Sequence, residues 1–108
     1  MDIERWRKEI DELDEELLRL LNMRARLAVK VGCLKRASGI PVRDPEREQF
    51  VLQRLQAANT GPLDQEAVVR LFRRIIRESR RVEALAGEQV NTSSVAGLNG
   101  STKLRGIA

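Results

Sequence analysis

Apolar side chains recur along the early chain at Ile3, Trp6, Ile10, Leu13, Leu17, Leu20, Leu27, Val31 and Leu34, in steps alternating between three and four once position 24 is counted. That spacing lines one face of an α-helix. No proline interrupts the run, Gly32 is the only glycine before Gly39, and Asp2, Glu4 and Glu9 lie early, where negative charge suits the positive end of a helix dipole. The pattern predicts one helix over about residues 3 to 36. Pro41-Val42-Arg43-Asp44-Pro45 ends it and starts another, because Asp44 can cap while Pro45 occupies the first helical position, where no backbone donor is needed. The second helix carries Phe50, Val51, Leu52 and Leu55 and stops before Gly61-Pro62. Asp64 caps a third, with Val68, Leu71, Phe72, Ile75, Ile76 and Val82 on one face, running to about Leu85. From Gly87 the composition turns to Gly, Ser, Thr and Asn without a sustained period. The expected organisation is a helical domain over 1–86 and a disordered or loosely ordered tail over 87–108.

Helix length bears on assembly. About 34 residues at ~1.5 Å each span ~50 Å, whereas a compact chain of about this size has a radius of gyration near ~13 Å. The first helix therefore outruns its own globule while its apolar seam continues to both ends. The expected fold is all-α, three helices per chain with a very long first helix, intertwined with a second copy about a two-fold axis. A lone three-helix hairpin with a protruding end is the alternative.

The informative residues are those that break the apolar pattern. At ~100° per residue Arg24 falls in the centre of the first helix's stripe, and Lys35 lies almost directly above it. An inward cation needs a partner, either an internal acid such as Glu48 or Asp44 or an anionic ligand. On the third helix Ser79 sits within the apolar face and Glu83 on its edge one turn later. A serine alone can bond back to its own helix. Together with Arg24, Lys35, Arg47 and Glu48 it points to a narrow, basic pocket in a helical core. Arg7, on the edge of the first stripe, lies ~25 Å along the axis from Arg24, so the two can share a small ligand only if Arg7 comes from another chain.

Composition narrows the chemistry. The 108 residues contain one cysteine and no histidine, which removes an internal disulfide, an ordinary zinc site and the usual general base. Cys33, beside Gly32, reads as a small filler rather than a nucleophile. No cofactor and no metal is expected. Lys and Arg number 20 against 16 Asp and Glu, a net +4 that favours an anionic partner. Aromatic residues are 3%, too few for base stacking. The sequence has no eighteen-residue apolar run and its start is unlike a signal peptide, so a cytoplasmic protein without membrane partners is expected. Arg70, Arg73, Arg74, Arg77, Arg80 and Arg81 form a stripe opposite the apolar face of the third helix. That stripe is the basis for a different class, a nucleic-acid or protein-binding helical module. A solvated face, partly neutralised by Asp11, Glu12, Glu15 and Glu16, is the expected reading, with no nucleic acid bound.

The runs Leu17-Leu18-Arg19-Leu20-Leu21-Asn22-Met23-Arg24, Leu27-Ala28-Val29-Lys30-Val31-Gly32-Cys33-Leu34-Lys35 and Pro41-Val42-Arg43-Asp44-Pro45-Glu46-Arg47-Glu48 resemble the all-helical class of chorismate mutases (type II), from Arg7 to about Glu83. The resemblance implies an intertwined homodimer with shared sites that converts chorismate to prephenate on the shikimate route to phenylalanine and tyrosine. It further implies that Arg24 and a partner chain's Arg7 hold the substrate carboxylates, and that Lys35 bonds the ether oxygen and a carboxylate. Arg47 and Ser79 would support the ring carboxylate, while Glu48 and the backbone near Asp44 take the ring hydroxyl. Glu83 stands where family members often have a glutamine donating to the ether oxygen, and a glutamate donates only when protonated. Lys35, Arg24 and Glu83 are thus the expected catalytic groups. An isochorismate-pyruvate lyase of the same fold is the nearest alternative activity, and the tail is a candidate docking segment for another enzyme of the aromatic pathway.

Overall fold

Helix ends fall where capping chemistry puts them. The computed structural model describes residues 2–93, which form α1 (Ile3–Ala37), α2 (Pro45–Ala58) and α3 (Gln65–Ser93). At the end of α1, Gly39 takes φ 71°, a conformation that only glycine adopts without strain. This lets the Ile40 amide donate to the Lys35 carbonyl at 2.8 Å and the Gly39 amide to the Arg36 carbonyl at 3.2 Å, closing the last turn. Asp44 Oδ1 accepts from the Arg47 amide at 3.0 Å with Pro45 in the first helical position, as the sequence predicts. Asp64 Oδ1 accepts from the Ala67 amide at 2.7 Å and starts α3 in the same way.

α3 packs against both other helices. It runs in the same direction as α1, since Arg24 meets Ser79, Gly32 meets Glu83 and Arg36 meets Gly87. α2 runs back along it, bringing Glu48 to Arg80. The buried apolar residues are Val29 of α1, Leu52 of α2, and Val68, Ile76 and Ala86 of α3. The molecule measures 60 × 31 × 15 Å, and α1 accounts for its long dimension.

Two expectations about the helices are corrected. α3 continues through Gly87 to Ser93 rather than ending near Leu85. Gly87 is a buried position inside the helix, and its missing side chain makes room for Arg36 rather than ending the helix. The expected tail beyond Ser93 lies outside the described residues. Arg24 is expected at the centre of an inward-facing stripe, yet the apolar stripe of α1 is not the surface that meets α3. α3 rests on a neighbouring face of small residues, where Val29 and Gly32 are buried and Ala25 and Ala28 half-buried. The stripe itself is exposed from Ile3, Trp6, Ile10, Leu13 and Leu17 to Leu20, Leu27, Val31 and Leu34, reaching 67% exposure at Leu13 and 69% at Leu34. Arg24 and Lys35 stand on the border between the covered and the open face. Among the described residues nothing covers α1 before Leu21.

Candidate active site

Because α1 and α3 run in parallel, the polar residues that interrupt their apolar faces line up. Arg24 Nη1 donates to Ser79 Oγ at 2.9 Å. Burial lowers the pKa of Arg24, and the neighbouring Arg47 cation lowers it further. The Arg47 guanidinium stacks over the Phe50 ring, 5.3 Å from its centre. No carboxylate lies within ion-pair reach of Arg24 among the described residues, so the internal salt bridge to Glu48 or Asp44 is not formed.

Those two acids hold other cations. Lys35 Nζ lies 3.8 Å from Asp44 Oδ2, beyond hydrogen-bond distance, so its three donors are not consumed by that contact. Arg80 Nη2 pairs with Glu48 Oε1 at 2.8 Å. Glu83 is buried, its side chain only 10% exposed, with Arg36 Nη2 3.7 Å from its Oε1 and 3.3 Å from its main-chain oxygen. Burial raises the pKa of the Glu83 carboxyl, and Arg36, Lys35 and Arg80 oppose that rise. The structure thus brings together Arg24, Lys35, Asp44, Arg47, Glu48, Ser79 and Glu83. Arg7 remains far along α1, exposed and paired with Glu4 at 3.2 Å.

Arg36 and Arg80 are not among the expected site residues. The sequence pattern groups Arg80 with the outward arginines of α3, but it is half-buried on Glu48, and its Nε is buried with no partner. It also lines a cavity of about 300 Å³ with Arg73, Arg77, Glu48, Gln49 and Ile76. The rest of the stripe is solvated, with Arg70 paired to Glu66 and Arg81 to Glu78 on its own helix. Of the α1 acids expected to neutralise it, Glu16 pairs with Arg19 instead, because α3 does not reach that part of α1. For Arg36 the available signal is its place one turn after Gly32, matched by Gly87 one turn after Glu83.

Lys35, Arg36 and Arg80 surround the Glu83 carboxyl, Lys35 and Arg80 also face Asp44 and Glu48, and Arg47 stands beside Arg24, so five cations share three carboxyls where the helices meet. Their positive charges outnumber the carboxyls, and the chain has no histidine to serve as the usual general base, so the chemistry such a cluster offers is placement and charge. The family model described as chorismate mutase type II matches residues 6–84, and the chain belongs to that family. It is 51% identical over 77 residues to the bifunctional chorismate mutase/prephenate dehydratase of Neisseria gonorrhoeae, a match covering 71% of this chain and 21% of that protein. The chain therefore spans about a fifth of the length of the bifunctional relatives it matches. It is 32% identical over 78 residues to the chorismate mutase of Methanocaldococcus jannaschii, covering 71% of this chain and 79% of the relative. The solved chorismate mutase (form II) of Thermus thermophilus superposes with a TM-score of 0.76 at 39% identity, covering 78% of this chain and 96% of that one.

Proposed function

We propose that the chain catalyses the rearrangement of chorismate to prephenate, in phenylalanine and tyrosine biosynthesis, as a homodimer with shared active sites. The observation that carries this reading is Arg24, a half-buried cation held by a neutral hydroxyl among an excess of positive charge. Such a group is satisfied by an anion from outside the chain. In the reaction the ether C–O bond breaks as a new C–C bond forms and the two double bonds shift, so no atom, proton or electron enters or leaves. The protein contributes by holding the enolpyruvyl arm over the ring and by placing cations where negative charge grows on the ether oxygen. Arg24 and Arg7 of the partner subunit hold the carboxylates, Lys35 and protonated Glu83 donate to the ether oxygen, Arg47 and Ser79 support the ring carboxylate, and Glu48 with the Asp44 backbone takes the ring hydroxyl.

The open apolar stripe of α1 supports the dimer. A second α1 lying across it would remove Leu13, Leu17, Leu20 and Leu27 from water at a gain of ~25 cal/mol per Å², and would bring the distant Arg7 to the other chain's Arg24. The docking partner that fits this reading is of the class named in the bifunctional relatives, an enzyme that consumes prephenate. The test is incubation of the purified protein with chorismate, following loss of its absorbance and identifying the product. Prephenate supports the reading. Release of pyruvate from isochorismate with no prephenate from chorismate would replace it with the lyase.

A further inference from the structure

The roles proposed above leave Arg36 without one, yet two glycines make room for its contact with Glu83. Gly32 and Arg36 are one turn apart on α1, and Glu83 and Gly87 are one turn apart on α3. With the helices parallel, each glycine faces the other helix's charged residue. A Cβ at Gly32 would lie 2.5 Å from Glu83 Cγ, Cδ and Oε1, and one at Gly87 would lie 2.5 Å from Arg36 Cζ and 2.8 Å from both its terminal nitrogens. Glycine inside a helix is unfavourable, so its use at both facing positions means the space matters more than helix propensity. Into that space Arg36 Nη2 donates to the Glu83 main-chain oxygen at 3.3 Å while standing 3.7 Å from Oε1.

We propose that Arg36 is a positioning residue, which hydrogen-bonds the Glu83 main-chain oxygen and, by charge rather than by a direct bond, draws the Glu83 carboxyl over Gly32 toward the substrate's ether oxygen. This rests on reading the pocket as the site of the chorismate rearrangement. Arg36 acts through Glu83 and touches no substrate. Its charge matters as well as its shape. Lys35 and Arg36 face Glu83 from α1 and Arg80 faces it from α3, but Lys35 is shared with Asp44 and Arg80 with Glu48 of α2, whereas Arg36 meets Glu83 at both its carboxyl and its main-chain oxygen. Burial favours the neutral acid and the Arg36 cation favours the carboxylate.

The test measures kcat and KM against pH for the full chain and its Arg36→Gln and Arg36→Lys variants, beside a carbon-13 NMR titration of the Glu83 carboxyl. Arg36→Gln should lower kcat on the acid side by on the order of tenfold or more through lost aim, with KM little changed. It should also move both the alkaline fall in rate and the Glu83 titration to higher pH, because the cation that favoured ionisation is gone. Arg36→Lys, which keeps the charge but not the fork, should hold the native midpoint with an intermediate kcat. Gly32→Ala, whose added methyl meets Glu83 from Cγ to Oε1, should lower kcat at unchanged helix content. An active wild type whose Arg36→Gln profile and Glu83 titration both superimpose on its own overturns the role of Arg36 alone. A wild type that does not convert chorismate overturns the proposed activity and this role with it.

Discussion

Arg24 and Ser79 join α1 to α3 through one hydrogen bond of 2.9 Å, and the hydroxyl aims the guanidinium without neutralising it. Removing each partner should therefore have a different effect. Ser79→Ala leaves the cation in place with less guidance, and the loss of one hydrogen bond of ~0.5–1.5 kcal/mol corresponds to a rise in KM of roughly two- to tenfold. Arg24→Ala removes the counter-charge for a substrate carboxylate and should lower kcat/KM by on the order of 10² or more. Steady-state kinetics on the two variants decides this, and equal losses would mean that the hydroxyl matters to substrate binding as much as the cation does.

Lys35 lies too far from Asp44 to be spent on it, which leaves its donors for an oxygen that gains charge in the transition state. Lys35→Ala should depress kcat by ~10²-fold or more with a much smaller change in KM. An unchanged kcat would remove Lys35 from the catalytic groups.

Arg7 and Arg24 occupy distant parts of one helix, so their cooperation requires two chains. Arg7→Ala and Arg24→Ala should each be nearly inactive. Mixed and allowed to exchange subunits, they should recover part of the activity, because one site of the heterodimer regains both arginines. Complete exchange without recovery would exclude Arg7 from acting in the partner's site.

Glu83 has its pKa raised by burial, against the pull of Arg36, Lys35 and Arg80. Only the neutral form donates a hydrogen bond, so kcat/KM should fall as pH rises through its ionisation. Glu83→Gln supplies a permanent donor and should hold its activity at higher pH, which profiles from about pH 5 to 9 can check. Stability follows the same sign. A carboxyl whose folded pKa is raised loses stability as pH rises above the unfolded value. The gain in melting temperature of the Gln variant over the wild type should thus be larger at neutral pH than in acid. Superimposable rate profiles would place Glu83 away from the reacting oxygen.

Much of this fold is written in local signals. Asp44-Pro45 and Asp64 mark helix starts by chemistry that needs no tertiary context, and the three/four spacing of α1 gives its length. The side chains that interrupt apolar faces, Arg24, Lys35, Ser79 and Glu83, can be found in the sequence because charge or hydroxyl on such a face demands a partner. Arg80 and Arg36 cannot be placed that way. Each lies at a helix edge, where a few tens of degrees of rotation decide between solvent and pocket, and only the packing of α2 on α3 and of α1 on α3 sets that rotation. Gly87 misleads for a related reason, since a glycine that ends a helix and one that admits a neighbour look alike until the neighbour is known.

The first turn of α2 carries Asp44, Arg47 and Glu48, and Asp44 has two tasks there: Oδ1 caps the turn through the Arg47 amide while Oδ2 faces Lys35. The ring-hydroxyl end of the proposed site is therefore only as durable as this turn and the Arg80–Glu48 pair that ties it to α3. When that turn frays, the cap, the partner of Lys35 and the Glu48 carboxylate are released in one event. The amide protons of Arg47 and Glu48 should then exchange with solvent together, and substrate should slow both by the same factor, a record of site opening written in the backbone rather than in the rate of reaction.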